Sequence, residues 1–312
     1  MKKKVLVTGV TGFVGANLAR RLVKDDYEVH ILTRETSNLW RIKEIYKNLI
    51  DWKVDLREKE KLKNILEKIN PEYIIHLAIY GGRPNEKDTE EIINSNFLGT
   101  VNLVEASRNI NYKVFINTGS SSEYGMKNEK MQENMVCSPN TIYGIAKVGA
   151  TLYCNYEAKK NNKNIGTLRL FSPFGDFEDR GRLFPDIILA LLENKDVNLA
   201  NPKAVRDFIY IEDVVDLYMK IINENLNISG EVFNCGYGEQ HSVEYVANKI
   251  KKYLNSKNSL NYGAKEGRSF DTDLWESDIS KIKEKLNWTP KLDFDASIEK
   301  ACEWYKKNKN LY

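Results

Sequence analysis

The chain has 312 residues, 42% hydrophobic and 29% charged, with a formal net charge of only +3. That length exceeds what one core usually carries, so two lobes are expected, and the composition excludes a disordered or fibrous protein. The near-balance of charge argues against nucleic acid as a partner, and four cysteines and three histidines without metal-type or redox-type spacing argue against a metal site or a disulfide framework. Met1-Lys-Lys-Lys runs straight into a short apolar stretch, so neither a signal peptide nor a membrane span is expected, and a cytoplasmic location fits.

In chain order, short β-branched runs at 5–8, 29–33, 51–54, 73–78, 114–118 and 165–171 read as strands. Apolar residues at helical spacing mark helices at 17–24, 59–68, 94–108 and 142–160. The alternation predicts an α/β fold, a parallel sheet covered by helices on both faces. From 174 to 182 the chain is rich in Gly, Asp and Arg and reads as a loop over a polar ligand. Runs at 204–210 and 231–234 read as strands returning to the first lobe, and 241–312 reads as mainly helical, with a loop at 263–271 and a turn at Trp288-Thr-Pro290.

Gly9-Val-Thr11-Gly12-Phe13-Val14-Gly15 follows the first strand and opens a helix. The first glycine permits a tight turn, the second lets backbone approach a pyrophosphate, and the third lets helix and strand pack closely. That context predicts a Rossmann-type, doubly wound sheet holding a dinucleotide. The second strand ends in Thr33-Arg34, without the acid that would pair with a ribose 2′-hydroxyl. An Arg suits a 2′-phosphate, so NADP(H) is expected, with NAD(H) the second choice; the plainer reading of Arg34 is a surface side chain.

Tyr143 and Lys147 stand one helical turn apart and project from one face. A cation near a phenol lowers its pKa from about 10 and suits it to proton exchange with a carbonyl/alcohol pair. The same spacing occurs at Tyr156/Lys160, Tyr245/Lys249 and Tyr253/Lys257, so position must choose. Only Tyr143 follows a hydroxyl-rich strand end, Asn117-Thr118-Gly-Ser120-Ser121-Ser122, at the carboxyl edge of the sheet where such folds bind ligands. A serine there can hydrogen-bond a substrate oxygen as charge develops on it.

With these residues in place, the chain resembles the extended short-chain dehydrogenase/reductase family of nucleotide-sugar epimerases, dehydratases and ketoreductases. The likeness runs through the glycine turn, Asp55-Leu56, His76-Leu77-Ala78, Asn96-Phe-Leu-Gly-Thr100, Ser120/Tyr143/Lys147, Leu168-Arg-Leu-Phe-Ser-Pro173, Arg206-Asp-Phe-Ile209 and the tail from Asp278 to Pro290. The resemblance implies a catalytic set of Ser120, Tyr143 and Lys147, with Lys147 also on the nicotinamide ribose. It implies that Asp55 and Leu56 lie near the adenine, and that Leu77, Ala78, Asn96 and Thr118 belong to the dinucleotide cleft. Arg83, Ser121, Ser172, Leu183, Phe184, Arg206, Arg268 and Asp271 match positions on the nucleotide sugar. Residues 1–172 plus about 204–240 would form the dinucleotide domain, and 173–203 with 241–312 a smaller, interleaved substrate lobe.

Family dehydratases carry an Asp and a Glu right after the position of Ser120; here those positions are Ser121 and Ser122, and Glu123 comes one position late. Elimination of water then lacks its acid/base pair. Tyr80-Gly-Gly-Arg83-Pro and Lys265-Glu-Gly-Arg268 are similar to CDP-abequose and CDP-paratose synthases, which reduce a 4-keto-6-deoxy sugar at C4. The expected activity is therefore NADPH-dependent reduction of an NDP-4-keto-6-deoxyhexose. The alternatives are a nucleotide-sugar 4-epimerase with tightly held NAD(P) and, in another class, a non-catalytic dinucleotide sensor. The resemblance also implies a homodimer through helices at about 90–109 and 142–161, with Ile92, Leu98, Val101, Leu103, Val104, Val148, Leu152 and Tyr156 as apolar surface.

Overall fold

The computed structural model describes residues 2–82, 86–267 and 272–312, and the chain divides into two compact units. The first comprises Met1–Gly125, Glu133–Leu170 and Val215–Asn234; the second comprises Met126–Gln132, Phe171–Val214 and Cys235–Tyr312. Among the described residues no helix is long and apolar enough to cross a membrane.

The first unit runs β1 (Lys4–Thr8), α1 (Phe13–Lys24), β2 (Glu28–Thr33), β3 (Leu49–Lys53), α2 (Lys59–Ile69), β4 (Tyr73–His76), α3 (Thr89–Ile93), α4 (Gly99–Ala106), β5 (Val114–Ser120), α5 (Ile142–Asn161) and β6 (Ile165–Leu170). These strands pair in parallel in the order β6-β5-β4-β1-β2-β3. The order reverses beside β1, which makes the carboxyl edge there a crevice for a ligand. One face of the sheet packs Leu6, Leu32, Ile74 and Phe115 against Leu62 and Leu66 of α2, Leu103 of α4 and Cys154 of α5. Such two-sided burial is why the strands read as unbroken apolar runs.

The helix expected over 94–108 runs from 89 to 106 and changes its winding on the way. A five-residue π turn, Asn94–Leu98, separates α3 from α4. Asn96, fully buried, donates from Nδ2 to the carbonyls of Ile92 and Tyr80, and Thr100 Oγ1 donates to the Asn96 carbonyl. Side chains have taken the carbonyls that an unbroken α-helical ladder would use.

The second unit contains β7 (Ser172–Phe174), α6 (Leu183–Leu192), β8 (Val197–Leu199) and β9 (Val205–Tyr210). Next, α7 (Ile211–Asn223) begins in this unit and ends in the first, and β10 (Val232–Cys235) extends the large sheet beyond β6. The remaining elements are β11 (Gln240–Ser242), α8 (Val243–Tyr253), β12 (Leu260–Tyr262), α9 (Ser280–Leu286) and α10 (Phe294–Asn308). The run at 204–210 does not rejoin the first lobe: β9 pairs with β7 in parallel and with β11 antiparallel, in a separate three-stranded sheet. Of the ranges expected in the first lobe, residues 126–132, 171–172, 204–214 and 235–240 accordingly lie in the second unit. Its core is aromatic, with Phe174 stacked on Phe184 at 3.9 Å and Phe208 edge-on to Phe184 at 5.2 Å between centroids.

Thr8 and His76 are register partners on β1 and β4, both buried. Thr8 Oγ1 accepts from the backbone N–H of Leu77 and of Ala78, so its own proton goes to His76 Nδ1 at 2.7 Å. His76 then carries its ring proton on Nε2 and donates it to Thr100 Oγ1 at 2.9 Å. Burial, with the nearby Lys147 charge, pushes His76 down to about 3. The unfolded chain therefore binds this proton near pH 6.5 while the folded chain does not, and stability falls with pH below 6.5 by about 1.4 kcal/mol per unit from this residue. Urea melts at pH 6.5, 5.5 and 4.5 should show that loss, and His76→Asn should flatten the slope. An unchanged slope in the variant would contradict a neutral buried imidazole.

Candidate active site

In the glycine turn, Gly9 has φ +70°, and a Cβ there would sit 2.4 Å from the Leu77 carbonyl carbon. A Cβ at Gly15 would lie 2.3 Å from the Gly9 carbonyl oxygen. Chain packing alone demands both glycines. Gly12 differs, because a Cβ there would meet only the Gly9 oxygen, at 3.2 Å. Gly12 is also the N-cap of α1, with no side chain capping the helix and no acid in its first turn. This end of a twelve-residue helix is thus open to an anion, and the bare backbone of Gly12 lets a pyrophosphate approach closely. Thr11, Phe13 and Val14 are half-buried around it, and the buried Arg41 donates to the Thr11 carbonyl at 3.2 Å.

Beyond this turn, at the end of β2, the Thr33 hydroxyl is committed. It donates to Asp51 Oδ1 at 2.7 Å and accepts from Lys53 Nζ at 2.8 Å. Burial works against the Asp51 carboxylate, but bonds from Lys53, Thr33 and Tyr46 hold it below the usual range. The Thr33 hydroxyl is thus held within the sheet edge by Asp51 and Lys53. Arg34 is exposed, with Nη1 3.8 Å from Glu91 Oε1. Asp55 is gripped by Arg57 through Oδ1 and Oδ2, while Leu56 packs at Gly99. Asn96 is corrected: its amide clasps both backbone groups of Tyr80, with Oδ1 accepting from the Tyr80 N–H at 3.2 Å, so it orders the strand-end loop from within. Leu77 is buried and Ala78 half-buried beside Gly9.

At the end of β5 lie the residues expected to move protons. Ser120 caps a short 3-10 turn, Ser121–Glu123, accepting on Oγ from the Ser122 N–H at 3.1 Å. Glu123 completes a reciprocal cap by accepting from the Ser120 N–H at 2.9 Å. Its other oxygen takes the Arg169 Nε–H at 2.8 Å, and both partners are buried. Arg169 in turn lies over the Tyr124 ring, and Tyr124 donates to Asn234. Glu123 is therefore a structural anion turned into the core.

Helix α5 starts against this turn, with Thr141 Oγ1 capping the Gly144 N–H. A Cβ at Gly144 would be 2.5 Å from the Ser122 carbonyl oxygen, so only glycine permits the approach. Tyr143, half-buried, sits at that contact. One turn on, Lys147 is 1% exposed and donates to the Thr118 carbonyl at 2.7 Å. Burial lowers its ammonium to about 8, against the raising charge of Glu123. The Thr118 hydroxyl bonds Tyr218 at 2.6 Å, so Thr118 contributes its carbonyl here. Sequence reasoning missed Gly144, Arg169 and Tyr218; an interior helical glycine just after the Tyr is the one signal that could have been found.

In the second unit, Ser172 and Leu183 are half-buried, whereas Phe184 is stacked inside the aromatic core, which corrects its expected place against substrate. Arg206, half-buried on β9, lies over the Trp275 ring. Arg83, Arg268 and Asp271 lie outside the described residues. Of the expected apolar seam, Ile92, Leu103 and Val104 are buried within the chain, while Leu98, Leu152 and Tyr156 are exposed.

A model of the NAD dependent epimerase/dehydratase family matches residues 5–236. The chain is 28% identical to CDP-abequose synthase of Salmonella muenchen, over 96% of this chain and 97% of that one. It is 26% identical to UDP-glucuronate 4-epimerase of Thermodesulfobacterium geofontis, over 98% and 97%. A solved UDP-glucuronic acid 4-epimerase from Bacillus cereus, in complex with UDP-glucuronic acid and NAD, shares the fold with a TM-score of 0.87 and 25% identity, over 98% and 99% of the two chains.

Glu123→Gln would leave the Arg169 guanidinium buried without its counter-charge, which costs about 3–5 kcal/mol. Equilibrium urea unfolding checks this, and a variant within about 1 kcal/mol of the parent would show that the pair is not needed.

Proposed function

The chain belongs to the NAD-dependent epimerase/dehydratase family, and on that premise we propose that this nucleotide-sugar-modifying enzyme reduces an NDP-4-keto-6-deoxyhexose at C4 with NADPH. The observation that carries the choice of reaction is where the carboxylates are. Positions 121 and 122 are serines, and Glu123 is bound to Arg169 and the Ser120 N–H, which leaves elimination of water without an agent. Beside the end of β2, Asp51 of β3 is taken up by Thr33, Lys53 and Tyr46, which supports a 2′-phosphate partner for the exposed Arg34 over a 2′-hydroxyl partner. The likeness to CDP-abequose synthase over nearly both chains supports the same reading.

The dinucleotide, when bound, supplies the hydride. Gly12 and the uncapped start of α1 hold its pyrophosphate. Tyr143 gives its phenolic proton to the oxygen at C4, and Ser120 hydrogen-bonds that oxygen as negative charge builds. Lys147 stabilises the phenolate that remains, through its positive charge. Because burial brings the ammonium to about 8, that support fades as the pH rises past 8. The exposed Leu98, Leu152 and Tyr156 support pairing of two copies through α4 and α5.

A second reading, epimerisation at C4 with a retained dinucleotide, is favoured by the likeness to the solved UDP-glucuronic acid 4-epimerase. It requires purified protein to carry stoichiometric dinucleotide and to turn over with none added.

Tyr143→Phe should lower the reduction rate of NDP-4-keto-6-deoxyhexoses by about 10²–10⁴ while leaving NADPH binding unchanged. A comparable rate in the variant would refute the proton-donor role. Arg34→Ala should cut the NADPH/NADH preference in kcat/KM by about tenfold or more. An unchanged preference would remove Arg34 from cofactor selection.

A further inference from the structure

Arg206 stands on β9 opposite His241 of β11, and its neighbour Asp207 stands opposite Gln240. Those two neighbours fix a segment that carries an aromatic residue no periodicity marks. Gln240 Oε1 accepts the Trp275 N–H at 2.8 Å, and Asp207, fully buried, accepts the Ser277 N–H at 3.0 Å together with the N–H groups of Tyr237 and Gly238. Trp275 is therefore pinned from both sides, and its side chain is 5% exposed. Over its ring, with the carbon 5.3 Å from the centroid, lies the Arg206 guanidinium, which also bonds the Val205 carbonyl through Nη1.

A guanidinium has five donors in one plane, and it recognises phosphate oxygens only when that plane is correctly oriented. Stacking on an aromatic ring engages the face of the cation, fixes the plane in which its donors lie, and removes rotamers that would otherwise be lost on binding. We propose that Trp275 is a positioning residue that orients Arg206 to bind the diphosphate of the nucleotide sugar. This rests on the reading of the protein as a nucleotide-sugar enzyme in which Arg206 meets that diphosphate.

The test is a double-mutant cycle on the full chain with NADP⁺ bound, read by calorimetric binding of whichever of UDP, CDP, dTDP and GDP binds the parent most tightly, and by KM and kcat for the substrate. Arg206→Ala should weaken the nucleotide by about tenfold or more. Trp275→Leu should weaken it about threefold to thirtyfold and raise KM with little change in kcat, and Trp275→Phe should restore most of the loss. In the Arg206→Ala background, Trp275→Leu should have no further effect. If Arg206→Ala leaves binding unchanged, the diphosphate reading fails, and the positioning role with it. If Arg206→Ala weakens binding but Trp275→Leu does not, or weakens it equally without Arg206, the positioning role alone is overturned.

Discussion

The contact between the start of α5 and the turn that ends β5 sets the rest of the first unit's site. It is a backbone approach that tolerates no Cβ, since at Gly144 one would press on the Ser122 carbonyl, 2.5 Å away. Held this way, the turn offers the Ser120 hydroxyl at its cap, and the helix carries Tyr143 at its first turn and Lys147 at its second. The buried pair of Glu123 and Arg169 stands behind the turn and resists its collapse. A buried ion pair is a poor source of net stability, but breaking one is costly, which makes this pair a fixture.

Charge is handled differently along the same sheet edge. At β1 and β4, a histidine is kept neutral and used as a relay of hydrogen bonds from Thr8 to Thr100. Against β5, the Lys147 ammonium of α5 is buried on the Thr118 carbonyl, and burial lowers it to about 8. At β2 and β3, a carboxylate is neutralised by Lys53 and two hydroxyls. The first is a structural use of a titratable group, the second leaves a cation beside Tyr143 on one helix, and the third leaves no unpartnered carboxylate at Asp51.

Much of this was legible in the sequence, where local rules apply. Gly9 and Gly15 read as a turn because their positions have no room for a Cβ, and the Tyr143/Lys147 spacing reads as one helix face because the helix period is fixed. What stayed hidden depends on partners distant in the chain. The Thr33 hydroxyl is claimed by Asp51 and Lys53 through a strand register that residue types do not reveal. The run at 204–210 reads as a strand from its Val205 and Phe208-Ile209-Tyr210, yet residue types do not reveal its neighbours, which are β7 and β11. Phe184, which the family resemblance places against the nucleotide sugar, is a core ring because Phe174 lies under it. Trp275 falls in an irregular segment where no pattern could single it out.

The central claim is net transfer of hydride to C4 of a keto sugar, with the proton supplied by the chain. The most direct measurement is NMR of the sugar nucleotide formed from an NDP-4-keto-6-deoxyhexose with cofactor carrying deuterium at its transferable position. The account predicts one deuterium at C4 for each cofactor oxidised. Unchanged keto sugar with no cofactor consumed, together with label-free inversion at C4 of an NDP-hexose when no cofactor is added, would contradict it.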